Sequence, residues 1–216
     1  MNLTEELQNY RNQFLTKVSE EVQATMSQAT QNLASSGISD GSLKVGDKVP
    51  DFSLPNATGK RVNLQKQLQL GPVVISFYRG QWCPYCNLEL RAFQKRLPEI
   101  QALGASLIAI SPQTPDNSLS TVEKNELTFE VLSDVGNHIA RQFGLIFTLP
   151  EDLRPIYETF GIDLPAHNGD KTFELPIPAT YVIASDGTIV LSFVNADYTQ
   201  RLEPQEVINT LQKVNK

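Results

Sequence analysis

The chain holds two cysteines, and both lie in one stretch, FYRGQWCPYC, which runs from Phe77 to Cys86. The apolar run PVVISFY before them reads as a buried strand, and Pro84 is suited to the first turn of a helix. Cys83 therefore falls at a helix start. There, unpaired backbone N–H groups and the helix dipole stabilise a thiolate and lower a thiol pKa from about 8.5 towards neutrality. Cys86 lies one turn further on, placed to attack a mixed disulfide formed on Cys83. Attacking thiolate and resolving thiol then share one rigid element, which is the chemistry of reversible thiol–disulfide exchange. Pro84 fixes the helix entry, while Trp82 and Tyr85 shield the sulfurs and offer a flat apolar surface to a partner.

Other uses of two cysteines fit less well. Zinc needs further ligands, and the two histidines, His138 and His167, stand at no spacing that makes a ligand pair, so no metal is assigned. A purely structural disulfide across so short a loop removes little chain entropy. Two inert buried thiols would not require a proline between them after a strand.

The elements that must position the pair follow from the apolar pattern. Leu3, Leu7, Tyr10, Phe14, Val18, Val22, Met26 and Leu33 recur at helical spacing with no proline before Pro50, which predicts one long amphipathic helix from about Leu3 to Leu33. Asn2 or Thr4 caps it, and SSGISDG from Ser35 stops it. Residues 1–36 thus form an N-terminal helix ahead of a redox domain over 43–216. Its stripe packs on its own domain, the reading slightly favoured, or on a second copy in a homodimer. Beyond Leu43 the pattern is mixed. DFSL and RVNL read as short strands around a turn, PVVISFY, ASLIAIS and FEVLSD as buried strands, and segments from Pro84 to Leu97, from Thr114 or Asp116 to Asn125, and 137–144 as helices. LPEDLRPIYETFG suggests a helix from Pro150 to Phe160, DLPAHNGDKTFEL a loop, ATYVIAS and TIVLSFV a hairpin about Asp-Gly, and Pro204 to Val214 a closing helix. Strands alternating with helices imply a largely parallel central sheet.

Composition bounds the setting. A chain of 216 residues with 40% apolar content and a net charge of −6 suits an ordinary globular domain. The acidic balance disfavours nucleic acid and anionic membranes as partners. No apolar run is long enough to span a bilayer, and MNLTEELQNY lacks the features of a secretory signal. With so few cysteines, a reducing, cytoplasmic setting is expected.

LKVGDKVPDFSLPNATGKRVNL, PVVISFYRGQWCPYC, LIAISPQ, VLSDVGNHIARQFGL and ATYVIASDGTIVLSFV, in that order, resemble the peroxiredoxin-like (AhpC/TSA) branch of the thioredoxin superfamily. The resemblance covers about Leu43 to Lys216 and implies an α/β, thioredoxin-like fold: a central mixed sheet flanked by helices, with an N-terminal hairpin and, here, a helical extension. The site departs from the pattern. Where peroxiredoxins carry Pro-x-x-x-Thr-x-x-Cys, this chain has Arg79, Cys83 and Cys86. Pro178 stands where the family places an arginine, and Cys-Pro-Tyr-Cys is the glutaredoxin sequence. In thioredoxins a proline at this position is cis and presents the preceding backbone, here Ile177, to an extended substrate. Ser76 replaces the buried thioredoxin aspartate, leaving water, Glu89 or Asp51 as proton acceptors for Cys86.

Two reactions compete. Exchange needs the pair and a docking edge. Peroxide reduction also needs donors for the departing oxygen, for which Arg79 is adjacent, and Arg141, Arg154 and Arg201 are further candidates. The sequence reading ranks dithiol–disulfide exchange first, thiol peroxidase second and a redox-sensing interaction module third. It expects disulfide-bearing proteins or small thiols as substrates, thioredoxin, glutaredoxin or glutathione as reductant, and no non-protein cofactor. ADYTQR, from Ala196, also resembles a stretch in the family, with no role legible from its residues.

Overall fold

A computed structural model describes residues 2–214. The chain opens with two helices, α1 (Leu3–Leu15) and α2 (Glu20–Ser35), followed by the hairpin strands β1 (Ser53–Pro55) and β2 (Arg61–Asn63) and the short helix α3 (Leu64–Leu68). The strand β3 (Val73–Phe77) leads into α4 (Pro84–Ala102). Then come β4 (Ser106–Ser111), α5 (Pro115–Asn125), β5 (Glu130–Ser133), α6 (His138–Gln142) and β6 (Ile146–Thr148). A 3-10 turn at Glu151–Leu153 precedes α7 (Arg154–Thr159), α8 (Leu164–Asn168) and β7 (Glu174–Pro176). The hairpin β8 (Ala179–Ile183) and β9 (Ile189–Val194) and the helix α9 (Pro204–Val214) complete the fold.

The central sheet is mixed, in the order β5-β4-β3-β8-β9. β3, β4 and β5 pair in parallel, whereas β8 pairs antiparallel with both β3 and β9. Every residue of β3 and β8 is buried, as two-sided coverage by helices requires. Val74, Leu107 and Val182 face α4 and α9, where Phe93, Ile100, Val207 and Leu211 join them. This packing explains why α4 continues past Leu97, where the sequence suggests a stop, and through Pro98. Leu97 and Ile100 are both buried on that face, and their burial offsets the backbone hydrogen bond that proline removes.

The N-terminal region corrects the single-helix expectation. Thr16 caps the end of α1, and the Ser19 side chain accepts from the Val22 N–H to start α2. Gln23 Nε2 donates to the Leu15 and Val18 carbonyls at 2.9 and 3.1 Å, so the corner is built from side-chain hydrogen bonds rather than from glycine or proline. The heptad-like spacing runs straight through this corner and conceals it. At its start α1 has a capping box, with Asn2 accepting from Glu5 N–H and Glu5 accepting from Asn2 N–H. Thr4 donates to Glu203 ahead of α9. Leu3 and Leu7 are buried in the same cluster as Cys83, Cys86 and Leu90, so α1 packs on its own domain. α2 is different: none of its residues is fully buried, and Met26 and Ala29 only lean against the cluster formed by Leu149, Leu153 and Tyr157. The stretch read as a loop contains α8 and β7, and β7 pairs antiparallel with β6.

Leu7→Ala should lower the unfolding free energy by about 2–3 kcal/mol in urea denaturation, because it opens a cavity beside the sulfur cluster. A change below about 0.5 kcal/mol, typical of a surface site, would show that α1 is not docked in solution.

Candidate active site

β3 delivers the chain to the site, and α4 holds the sulfurs. After Phe77 the backbone turns through Gly80, where a Cβ atom would lie 2.3 Å from Trp82 Nε1, so glycine lets the indole fold back over the turn. The turn is pinned by neighbouring elements. Gln81 N–H donates to Gln113 Oε1 at 2.7 Å, and Asn87 Nδ2 donates to the Gln81 carbonyl at 2.8 Å. Cys83 occupies the N-cap of α4 with Pro84 at the first helical position. Its side chain makes no capping hydrogen bond, so the sulfur is left to other partners.

The two sulfurs meet two buried arginines. Arg79 Nη2 lies 3.6 Å from Cys83 Sγ, and Arg79 N–H lies 3.5 Å from Cys86 Sγ. Arg201 Nη2 donates to Cys86 Sγ at 3.3 Å. Both sulfurs are free thiols and fully buried. Burial alone would raise both pKa values. For Cys83 it is outweighed by the hydrogen bond from Cys86 and by the charges of Arg79 and Arg201, which hold this thiol well below its ordinary range. Cys86 is pushed well above it, by burial and by the adjacent Cys83. These surroundings favour the thiolate on Cys83 and the thiol on Cys86.

Each arginine has its own surroundings. Arg79 donates to Tyr157 OH at 3.0 Å, and its guanidinium carbon sits 4.0 Å from the Tyr198 ring centre and 5.0 Å from that of Trp82. Three aromatic rings therefore replace water around this cation. Arg79 Nε and Trp82 Nε1 are buried with no hydrogen-bond partner. Arg201 pairs with Glu89 at 2.9 Å, both side chains being essentially buried, and it also donates to the Tyr198 and Gln200 carbonyls. Thr180 Oγ1 donates to the other Glu89 oxygen at 3.4 Å. Burial pushes Glu89 up to about 7, against the opposing pull of Arg201 and Thr180.

The sequence-named residues divide cleanly. Cys83, Cys86, Arg79, Trp82 and Pro84 converge, and Tyr85 packs edge-on between Tyr10 of α1 and Tyr198. Arg201, one of several candidate arginines, reaches Cys86. Arg141 instead pairs with Glu174 at the surface, and Arg154 covers Phe173. Glu89 enters the site through Arg201, whereas Asp51 is an exposed neighbour of Asn63. His167 faces Asn117, and His138 begins α6, both away from the sulfurs. Ser76 is buried with an unpaired hydroxyl. The docking reading of Ile177 and Pro178 needs correction: no described peptide bond is cis, Ile177 is buried, and its N–H already donates to the Leu145 carbonyl at 2.7 Å. An extended substrate that paired with this N–H would have to displace the Leu145 carbonyl. Tyr157 and Tyr198 escaped the sequence reading. Tyr198 lies within ADYTQR, and this stretch acquires a physical role by carrying both the ring over Arg79 and the guanidinium on Cys86.

Comparison with known proteins bears on this arrangement. Residues 45–192 match the AhpC/TSA family, and the chain belongs to it. A putative peroxiredoxin of Mycobacterium tuberculosis is 34% identical over 122 residues, covering 56% of this chain and 79% of that protein. Peroxiredoxin Bcp of Escherichia coli is 33% identical over 103 residues, 48% of this chain, and the match spans 65% of that relative's length. The crystal structure of peroxidoxin BcpB from M. tuberculosis aligns with a TM-score of 0.63 at 25% identity, covering 79% of this chain and 97% of that one. α1, α2 and Arg201 lie outside the family-matched residues.

Arg79→Met should move the midpoint of Cys83 thiolate absorbance upward, towards the free-thiol value of about 8.5. An unmoved midpoint would mean that Arg79 does not hold the charge. Glu89 supplies a second test. With its folded pKa at about 7, above the carboxylate value of 4.5, the folded state binds the extra proton between these limits. Stability contributed by this group therefore falls as pH rises from 4.5 to 7 and is level beyond, by about 3 kcal/mol in total. The difference between the wild-type and Glu89→Gln denaturation curves should show that slope.

Proposed function

We propose that the protein is a thiol peroxidase that uses the Cys83/Cys86 pair to reduce hydroperoxides. The observation that carries this reading is a buried guanidinium set against each sulfur, Arg79 3.6 Å from Cys83 Sγ and Arg201 3.3 Å from Cys86 Sγ, with a spare donor on Arg79. Peroxide cleavage develops negative charge on the departing oxygen, so preorganised cations in a site without water lower its barrier. Arg79 stands where such an oxygen would leave, and its unpaired Nε is available to it. Membership of a family whose relatives are called peroxiredoxins supports the same reading.

Cys83 is the attacking sulfur in this scheme. Its neighbours Trp82 and Pro84, together with Arg79, line a cavity, whereas Arg201, on Cys86, faces a separate surface cleft beside α1. The Cys83 thiolate attacks the outer peroxide oxygen. The O–O bond breaks, Cys83 becomes a sulfenic acid, and the alkoxide or hydroxide that leaves takes a proton from solvent. The Cys86 thiol then attacks the sulfenic sulfur, a disulfide forms, and the hydroxyl leaves as water with the Cys86 proton. An external dithiol or two small thiols, for which thioredoxin, glutaredoxin and glutathione have the right chemistry, return both cysteines to the reduced form. The cycle needs no non-protein cofactor. Protein disulfide exchange, ranked first from sequence, fits less well, because both sulfurs are buried and the Ile177 edge is occupied.

Cys83→Ser should abolish hydroperoxide consumption. Cys86→Ser should complete one turnover and leave a sulfenic acid that dimedone labels. Labelling of Cys86 in the Cys83→Ser variant, and none in Cys86→Ser, would reverse the two roles. Arg79→Met should lower kcat/KM for peroxide by about 10²–10³, the cost of losing one oxyanion donor. Peroxide consumption no faster than by free cysteine would discard the peroxidase reading.

A further inference from the structure

The structure points to α2 as the specificity element of the site. We infer that Met26, Ala29 and Leu33 form one wall of an apolar cavity that holds the organic body of a hydroperoxide while Arg79 holds its oxygens. The inference rests on the peroxidase reading above and deepens it.

The cavity lies between α2 and the segment from β6 to α7. It is a partly open cleft of about 200 Å³, lined by Leu149, Leu153 and Pro178 as well as the α2 residues. Arg79 is the one charged residue among those lining it, so the space is apolar along its length and cationic at one end. That end is the guanidinium 3.6 Å from Cys83 Sγ. An apolar cavity of about 150 Å³ accepts benzene, so this one has room for a single ring or a short branched alkyl group. A molecule with an O–O group on an apolar body satisfies both ends at once.

The packing of α2 agrees with this use. A helix that merely covered a core would bury its apolar stripe, yet no α2 residue is fully buried. Met26 also lines the neighbouring cavity beneath Tyr10, Phe14 and Trp82, which again reaches Arg79. A flexible, unbranched thioether suits a wall that must adapt to its ligand. Since α2 lies outside residues 45–192, the wall is supplied by a part of this chain that the family match does not include.

The test compares cumene hydroperoxide with hydrogen peroxide. Ala29→Phe fills the cavity from the half-buried face of α2, and the ratio of kcat/KM for cumene hydroperoxide to that for hydrogen peroxide should fall at least about tenfold, the discrimination a filled apolar pocket provides. Leu33→Phe should act in the same direction and serves if Ala29→Phe does not fold. Independently of turnover, the product alcohol 2-phenyl-2-propanol should change the fluorescence of Trp82, the one tryptophan in the chain, saturably in the wild type and not in the filled variant. An unchanged ratio together with unchanged alcohol binding overturns the inference alone. Turnover of neither peroxide by the wild type overturns the peroxidase reading, and the substrate assignment falls with it.

Discussion

Holding a thiolate among buried groups is the constraint around which the rest of the site is arranged. Such a charge is costly in a medium of low dielectric unless cations and donors surround it. Arg79 and Arg201 provide the cations, one on each sulfur, and Arg79 N–H adds a backbone donor. Those cations are themselves buried and need partners of their own. Glu89 answers Arg201, and the rings of Trp82, Tyr157 and Tyr198 surround Arg79. The network therefore grows outward from the sulfurs through charge, then counter-charge, then aromatic surface.

Two different elements close it, and neither is part of the central sheet. The segment after β9 brings Tyr198 and Arg201, while the segment from β6 to α8 brings Tyr157. The α1–α2 pair then covers the aromatic layer, with Tyr10 against Tyr85 and Phe14 against Phe160. Covering the site lowers its dielectric and strengthens every charge interaction within it. Tight packing of α1 and loose packing of α2 divide that cover into a fixed part and an adaptable part.

The site also shows how one motif can serve two chemistries. Cys-Pro-Tyr-Cys at a helix start supplies a lowered thiol and a resolving thiol in any setting. What differs is the surroundings. A protein substrate requires an exposed sulfur and free backbone, and here Leu145 occupies the Ile177 N–H. A small peroxide requires only access for a few atoms and cations to receive charge. These surroundings support the peroxidase proposal over disulfide exchange.

Much of the architecture was legible in the residues. Buried strands announced themselves through β-branched runs such as Val73–Phe77, Asp186-Gly187 marked the final hairpin, and Pro204 opened a helix at the position observed, while the helix expected from Thr114 or Asp116 begins at Pro115. These signals are local, and local chemistry decides them. The two-helix corner at residues 16–19 was concealed because apolar spacing persisted across it, although Ser19 followed by two glutamates carries an N-cap signature. The helix through Pro98 and the short β7 were set by burial against distant elements, which no window of sequence contains, whereas α8 carries a local signature in its Asp163 cap, Pro165 and Gly169 that the surrounding polar stretch concealed. In the site, the sequence by itself determined the two thiols, their order on α4, and the adjacent Arg79, since all lie within one short stretch. Only the tertiary structure decided that Arg201, distant in sequence, meets Cys86, that Glu89 answers it, and that the N-terminal helices enclose them. Electrostatic partners act through space, and folding alone brings them within reach.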